Sequence, residues 1–491
     1  MIVHTESGKV RGMDCKGIYA FRGIPYAAST GGKGRFKPPE PAIPWSDIRE
    51  CSHPGFIAPQ RKDEHLQAQG LVQSEDCLNL NVWTSGAVDQ LKPVLLSIHG
   101  GGFTTGTGAD SDGSRYVVED GLVYVSINYR LGLLGFMHLG DILGEGYNTS
   151  GNNGMLDIVF ALQWVQRNIS AFGGDPSQVT IMGASAGAKC IATLYTMERA
   201  HGLFNRAIAQ SGATQAIRDT VTAHVTTRRI MEQLDILNDP TQLLELPFEQ
   251  LIEAQCAVGS DTSRSLHMFG PVADGSVIPL QPMTYLTAHD KKPPLLIGTN
   301  EDESAIFIHN DRALQSPDPA VLEHFFGLNA AVVSETYQSY SSKMPAEKAW
   351  STVLTEHLYT IGAIQFAEAL SAAGNPVWMY QLRSGGVLGA THGYEGSLIQ
   401  LSDPPPVFRA SDDPHSVPPE QYKLARNMRK SWLSFIQEGD PNGNALPEWP
   451  MYMHYRSTML LDEVSYVQVN PPLPIGMGIH HQVWRMSHVT D

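Results

Sequence analysis

Short runs of apolar and β-branched residues alternate along this chain with longer segments in which apolar residues recur at helical spacing. The apolar runs predict strands within 75–84, 93–103, 121–130, 179–181, 206–212, 293–304 and 376–383. Helical periodicity starts at Asn152 and returns over 220–258, 318–374 and 424–437. Because strands and helices alternate through the central chain, we expect a mostly parallel sheet with helices on both faces.

The first fifty residues follow a different pattern, in which short β segments are separated by Pro-rich turns. This pattern predicts an antiparallel meander at the edge of the sheet. No internal repeat or low-complexity linker divides the rest of the chain. We therefore expect one domain over residues 1–491, with two helical insertions at about 215–290 and 305–375.

The segment QVTIMGASAGAKC, residues 178–190, places a serine between a predicted strand and a predicted helix. Glycines two positions before and after Ser185 allow the strand and the helix to crowd around a strained backbone. Such a turn exposes the Ser185 hydroxyl at the end of a sheet and directs the positive end of the helix toward it. The pattern is typical of a serine nucleophile.

A serine nucleophile also requires backbone N–H donors for the oxyanion that forms on the substrate. The segment HGGGF, residues 99–103, directly follows a predicted strand, and its glycines leave their N–H groups accessible. Together with the N–H of Ala186, Gly101 and Gly102 predict a three-donor oxyanion hole.

The serine further needs a base and a carboxylate that orients the base. Of the 18 histidines, His392 stands out because the segment GATHGYE follows the predicted strand at 376–383. The acid could be Glu301, Asp302 or Glu303, which share the loop GTNEDES, and spacing alone does not choose among them. The same loop would also suit a solvated acidic turn.

The net charge and the composition argue against several kinds of binding partner and cellular location. The net charge of −16 argues against binding to nucleic acid or to an anionic membrane surface. The N-terminus has no secretory signal pattern, and no apolar run is long enough to span a membrane. Five scattered cysteines give neither a zinc spacing nor a disulfide framework, which favours a reduced, cytoplasmic location.

Ten motifs in order resemble the type-B carboxylesterase/lipase family, which includes bacterial para-nitrobenzyl esterases, animal carboxylesterases and cholinesterases. The likeness covers nearly the whole chain, and its motifs are FRGIPYA with RFKPPEP, SEDCLNLNVWT, HGGGF, NYRLGLLGF, GNNGMLDIVFALQWVQRNISAFGGDPSQVTIMGASAGA, AQSGA, GPVADG, GTNEDES, THGYE and GDPNG…WP. The resemblance implies an α/β-hydrolase fold with a large, mostly parallel central sheet, helices on both faces and helical insertions around an active-site gorge. It implies Ser185 as nucleophile, Glu303 as acid and His392 as base, with Gly101, Gly102 and Ala186 as oxyanion donors.

The activity that the resemblance implies is hydrolysis of a small-molecule carboxylic ester through an acyl-enzyme, with no metal and no organic cofactor. We expect short- to medium-chain neutral esters, because no amphipathic interfacial lid is visible in the sequence. The alternatives are a specialised hydrolase of carbamates, pyrethroids, feruloyl esters or amides, and a non-catalytic binding relative. A monomer or a small homo-oligomer is expected.

The sequence departs from the family pattern immediately before the nucleophile, where Ala184 replaces the usual glutamate. In relatives that glutamate joins a buried network with the residues that match Ser211 and Glu395. Here Ser211 and Glu395 are expected to keep only each other and water, and we hypothesise that Glu395 ionises more easily without the neighbouring charge. The family tryptophan that binds choline has no counterpart, so a choline-ester preference is not expected.

The resemblance also concerns scaffold residues. It implies two structural ion pairs, Arg35 with Glu75 and Arg130 with Asp175. Cys77 matches a family disulfide position, but the position of the usual partner is Ala58, and Cys51 is out of register. We expect both thiols to be free.

Overall fold

The computed structural model describes residues 1–86, 89–259, 268–288, 291–401 and 417–478. The chain groups into two compact units. The first unit contains Met1–Met182, Met197–Asn205 and Arg218–Leu280, and the second contains Gly183–Thr196, Arg206–Ile217 and Gln281–Asp491. Parts of the first predicted insertion, at 260–267 and 289–290, lie outside the described residues.

The strands are numbered in chain order through both units, and each of the seven predicted apolar runs contains or overlaps one of them. They are β1 (Ile2–Thr5), β2 (Gly8–Arg11), β3 (Met13–Asp14), β4 (Tyr19–Pro25), β5 (Ile48–Glu50), β6 (Asn79–Thr84), β7 (Lys92–Ile98), β8 (Val123–Ile127), β9 (Gly174–Ala184), β10 (Arg206–Gln210), β11 (Arg218–Asp219), β12 (Val272–Ala273), β13 (Leu295–Asn300), β14 (Val377–Leu382), β15 (Thr458–Leu461) and β16 (Tyr466–Gln468).

The helices are numbered in the same way, and most of the later ones lie in the second predicted insertion. They are α1 (Glu64–Ala68), α2 (Ser114–Val118), α3 (Gly132–Phe136), α4 (Gly140–Leu143), α5 (Asn153–Asn168), α6 (Ala186–Leu194), α7 (Thr220–Gln233), α8 (Phe248–Gly259), α9 (Pro282–Ala288), α10 (Ala305–Asn310), α11 (Pro319–Phe326), α12 (Ala330–Ser341), α13 (Ala346–Thr355), α14 (Ile361–Ala372), α15 (Tyr394–Gln400) and α16 (Tyr422–Glu438). A π-helical segment, Glu356–Thr360, joins α13 to α14.

The main sheet of the first unit has the strand order β9-β7-β8-β6-β4-β3. Strands β7 and β8 are parallel, whereas β6, β4 and β3 continue the sheet with antiparallel pairings. All five residues of β8 are buried, as expected for a continuous apolar run in a sheet covered on both faces. In the second unit, β10, β13, β14 and β15 are parallel and β16 is antiparallel to β15.

The antiparallel pairing predicted for the N-terminal segment is confirmed for β1 with β2 and for β3 with β4. The difference from the predicted meander is β5, which pairs in parallel with β2 and completes a separate three-stranded sheet. A parallel pair requires a long connection between its strands. The chain from Arg11 to Ile48 supplies that connection and also contains β3 and β4.

Of the two predicted ion pairs, Arg35 with Glu75 is confirmed and Arg130 with Asp175 is wrong. Arg35 Nε donates to a Glu75 carboxylate oxygen at 2.8 Å. Arg130 instead pairs with Asp157, whose carboxylate accepts from Nη2 at 2.6 Å, from Nε at 2.8 Å and from the backbone N–H at 3.0 Å. Both partners are buried.

The position of Asp157 along α5 explains this correction. Helix α5 continues from Asp157 to Asn168, a length of about 16 Å at a rise of roughly 1.5 Å per residue. Asp175 follows the far end of the helix, and its carboxylate accepts from the N–H of Ser177 at 2.9 Å and from the Gln178 amide at 2.9 Å. Asp175 therefore accepts hydrogen bonds from residues of its own turn rather than from Arg130.

Cys51 and Cys77 are both buried and form no disulfide, as expected. Burial raises the pKa of the Cys51 thiol to about 11, and burial also raises the pKa of Cys77. Both thiols are therefore protonated at neutral pH and poorly reactive. Within the described ranges, no helix combines the length and apolar character needed to cross a bilayer.

Candidate active site

Ser185 occupies a single-residue turn between β9 and α6, as the sequence predicts. Its backbone has φ 57° and ψ −122°, a strained conformation for a residue with a Cβ. The Ser185 N–H donates to the Gln210 carbonyl at 2.9 Å, and its own carbonyl accepts from the N–H of Lys189 at 3.0 Å. Ser185 is half-buried, and these backbone hydrogen bonds hold its turn in place.

Gly212, after the end of β10, packs directly against this turn. A Cβ at Gly212 would lie 2.6 Å from the Ser185 carbonyl oxygen and 2.9 Å from Ala188 Cβ. These distances leave no room for a methyl group, so glycine is required for the close approach. The AQSGA motif thus packs closely against the turn at Ser185.

Glu303 and His392 form the central contact of the site. Glu303 Oε2 lies 2.6 Å from His392 Nδ1, and the Glu303 carbonyl accepts the His392 N–H at 3.2 Å. The second carboxylate oxygen of Glu303 accepts the Asn300 N–H at 2.8 Å. The Glu303 side chain is fully buried and that of His392 is 11% exposed. The carboxylate is therefore held in place from both of its oxygens.

The two other acidic residues of the same loop lie in different contacts. Asp302 accepts from Lys348 Nζ at 2.8 Å, and Glu301 lies 3.6 Å from Arg383 Nε. Neither carboxylate has a contact with His392 among the interactions of the described residues. Of the three carboxylates, Glu303 is the one that contacts His392 in the described part of the chain, and it is the residue that the family resemblance implies.

Aromatic side chains hold the ring of His392. The Tyr359 and Phe307 rings lie 4.6 Å and 5.2 Å from it, measured between centroids. Nδ1 faces Glu303, and the buried Nε2 has no hydrogen-bond partner within the described part of the chain. Lys189 Nζ lies 5.5 Å from the Tyr359 ring, so Tyr359 contacts both the helix that follows Ser185 and the imidazole.

Ser211 and Glu395 are joined as predicted, but they are not restricted to each other and water. Ser211 Oγ donates to Glu395 at 2.7 Å, and the Asn300 side-chain amide donates to the second carboxylate oxygen. Sequence reasoning missed Asn300, although it lies in the GTNEDES motif three residues before the acid. Asn300 connects the two buried carboxylates, since its backbone N–H binds Glu303 and its side chain binds Glu395.

Burial raises the pKa of Glu395, and the negative charge of Glu303 raises it further. Glu395 is therefore harder to ionise than an exposed glutamate. The hypothesis about Ala184 compares this chain with relatives that carry glutamate at that position, and it stays a prediction.

Gly101 and Gly102 lie in the first unit, in the turn that follows β7, with φ angles of 105° and 61°. The Gly101 carbonyl accepts the N–H groups of Thr104 and Thr105, each at 3.0 Å. A Cβ at Gly101 would lie 2.1 Å from the Thr105 carbonyl oxygen, so only glycine fits. Their part in an oxyanion hole with Ala186, the first residue of α6, stays a prediction.

The protonation state of a nearby histidine and the metal-binding capacity of the described residues also bear on the chemistry of the site. Burial lowers the pKa of His99, which precedes these glycines, to about 4, so its imidazole is neutral at pH 7. Among the described residues, no group of three or more His, Cys, Asp or Glu side chains is arranged to hold a metal ion.

Comparison with known proteins places this geometry in a family. The model of the carboxylesterase family matches residues 1–470. The para-nitrobenzyl esterase of Bacillus subtilis (strain 168) is 33% identical over 489 residues, covering 96% of each chain. The crystal structure of a Geobacillus stearothermophilus carboxylesterase is similar with a TM-score of 0.81 and 33% identity, covering 96% of this chain and 98% of that one.

More distant relatives include enzymes named for particular esters. A pyrethroid hydrolase of Mus musculus is 30% identical and covers 94% of this chain and 88% of its own. The solved structural relatives have the α/β-hydrolase fold, in agreement with the alternating strands and helices described above. This chain belongs to the carboxylesterase family and is a carboxylic-ester hydrolase.

Proposed function

We propose that this protein hydrolyses short- to medium-chain neutral carboxylic esters through an acyl-enzyme, with Ser185, His392 and Glu303 as its catalytic triad. The observation that carries the proposal is the 2.6 Å contact between Glu303 and His392 Nδ1, which leaves Nε2 of the same ring without a partner in the described residues. The strained turn at Ser185 supports the role of its hydroxyl as nucleophile.

In the proposed reaction, His392 Nε2 takes the proton from Ser185 Oγ as that oxygen bonds to the ester carbonyl carbon. The resulting imidazolium carries protons on both nitrogens, and Glu303 stabilises it through Nδ1. When the tetrahedral intermediate collapses, the ester C–O bond breaks and Nε2 protonates the leaving alcohol. Water then repeats the sequence on the acyl-enzyme, releasing the acid and restoring the Ser185 hydroxyl.

The negative oxygen of the tetrahedral intermediate requires donors that are already in place. Ala186 is the first residue of α6, where a backbone N–H has no partner within the helix. The assignment of Gly101 and Gly102 as further donors rests on the family resemblance. Each such donor contributes roughly 2.7–4 kcal/mol to transition-state stabilisation.

Ser211, Glu395 and Ala184 are proposed to act around the triad rather than on substrate. Asn300 bridges Glu303 and Glu395, so the protonation state of Glu395 affects the field at the triad carboxylate. The absence of a glutamate at Ala184 removes one possible charge from this surrounding network.

The substrate is proposed to be a soluble small molecule, and the chain to act as a monomer or small homo-oligomer in the cytoplasm. Hydrolysis of a bulkier ester is the second candidate, and it is favoured by the 30% identity to the pyrethroid hydrolase. Rates on p-nitrophenyl esters from acetate to palmitate, together with a pyrethroid ester, distinguish the two. A maximum at long emulsified chains would contradict the proposed preference.

The triad itself is tested by Ser185→Ala. We expect kcat on p-nitrophenyl acetate to fall by about 10⁶-fold, because binding and oxyanion contacts alone remain. The matched control is Cys190→Ala, which removes a buried thiol from the same helix and is expected to retain most of the activity. An active Ser185→Ala variant would refute the assignment.

A further inference from the structure

The second unit contains a cavity of about 360 Å³ whose walls include none of the triad residues. It lies against the end of β13, strands β14 and β15, the π-helical segment and residues 471–474. The walls combine apolar side chains such as Ile364 and Leu460 with hydroxyl and charged groups. A pocket of this size and mixed lining suits a small organic molecule with one polar end.

The cationic groups of the wall already have acceptors, which makes an anionic ligand a poor fit. A new anion would have to compete with an existing carboxylate or amide oxygen for each of these donors. The pairs are Lys348 with Asp302 (2.8 Å), Arg383 with Glu301 (3.6 Å) and Arg456 with Asn470 (3.1 Å).

Glu356 is different, because it has no cationic partner in the described part of the chain. One of its carboxylate oxygens accepts the Tyr340 hydroxyl at 2.7 Å, and the other has no hydrogen-bond partner there. Burial raises the pKa of Glu356 to about 7, and among the described residues no positive charge offsets that effect. The ionised form of a carboxyl group in this setting is stabilised most by a ligand that brings a positive charge.

Aromatic rings add a second feature that suits a cation. Tyr340 and Tyr452 line the same cavity as Glu356. A carboxylate with aromatic faces nearby is the combination that binds organic ammonium groups, through charge and through cation–π attraction. The net charge of −16 also favours the approach of a cation.

We propose that this cavity is a binding site for a small organic ammonium ion, with its positive group at Glu356 and its apolar body between the tyrosines and the aliphatic wall. The site is separate from the ester-hydrolysing triad. Glu356 opens the π-helical segment, a type of distortion that is frequent at functional sites.

Benzylamine is the probe, and isothermal titration calorimetry measures its binding to the full chain after Ser185 has been blocked with phenylmethylsulfonyl fluoride. We expect saturable binding with one site, weakened at least tenfold by Glu356→Gln. The matched control, Glu301→Gln, removes a wall carboxylate that already faces Arg383 and is expected to change the affinity less than twofold. Benzyl alcohol, which has the same shape without the charge, is expected to bind at least tenfold more weakly.

The affinity for benzylamine should also rise about tenfold from pH 6 to pH 8, as Glu356 becomes ionised around its pKa of about 7 while the amine stays protonated. Unchanged esterase activity of Glu356→Gln before blocking shows that this variant is folded. The proposal is overturned if benzylamine does not bind, if Glu356→Gln binds it as well as the parent, or if benzyl alcohol binds equally well.

Discussion

His392 is held by Glu303 through two separate contacts, one from the side chain at 2.6 Å and one from the backbone carbonyl at 3.2 Å. The residue that orients the imidazole therefore also positions the loop that carries it. Because Asn300 donates its N–H to the same carboxylate, the end of β13 and the loop before α15 form one hydrogen-bonded unit.

Replacement of Glu303 by glutamine tests how far activity depends on the orientation and stabilisation of the His392 imidazole, because the imidazole itself remains. We expect Glu303→Gln to lower kcat on p-nitrophenyl acetate by about 10³–10⁴-fold, because an amide can hold the wrong imidazole tautomer and does not stabilise the imidazolium. Asp302→Asn and Glu301→Gln are the matched controls, and steady-state kinetics should show less than about a threefold loss for each. A control as damaging as Glu303→Gln would show that the acid has been misassigned.

Gly212→Ala tests the close approach behind the nucleophile. The new methyl group would lie 2.6 Å from the Ser185 carbonyl oxygen, so the turn must shift. A displacement of the Ser185 hydroxyl by a fraction of an ångström is expected to lower kcat by about tenfold or more. Gly396→Ala, at a helical position where a Cβ meets no atom of the described residues within 4 Å, is the control and should leave kcat unchanged. Equal kinetics for the two variants would count against a tight nucleophile turn.

Because Asp157 is the buried partner of Arg130, its replacement should lower the free energy of unfolding much more than replacement of Asp175. Asp157→Asn leaves a buried guanidinium without its charge partner and should lower the free energy of unfolding by about 3–5 kcal/mol. Asp175→Asn removes only hydrogen bonds within an exposed turn, and a loss of about 1 kcal/mol or less is expected. Urea unfolding measures both, and a larger effect at Asp175 would restore the pairing that the family resemblance implied.

Glu356 makes stability depend on pH in a predictable direction. Because its folded-state pKa is raised from 4.5 to about 7, its contribution is fully present below the unfolded value and is lost as the pH rises through 7. Relative to Glu356→Gln, the parent should lose on the order of 2 kcal/mol between pH 4 and pH 8, allowing for partial exposure of the group. Thermal unfolding of both proteins across this range checks the prediction, and a constant difference would contradict it.

Local features of the site could be predicted from residue order alone. The strand, turn and helix around Ser185 depend on glycines close in sequence and on apolar periodicity, both of which act over a few residues. The start of the helix at Asn153 and both ends of the strand Val377–Leu382 were predicted to within one residue for the same reason. Ordered motifs then extended these local predictions to a family.

Contacts between distant segments depended on packing and could not be predicted in this way. Spacing left Glu301, Asp302 and Glu303 equivalent, and only the folded loop brings one of them to His392, 89 residues later in the chain. The same applies to Arg130, whose partner is determined by the face of α5 that packs against it, and to Asn300, whose side chain reaches Glu395. Sequence specifies which groups are available, whereas burial and hydrogen-bond geometry determine which of them meet, because a buried charge is stable only where its partners converge.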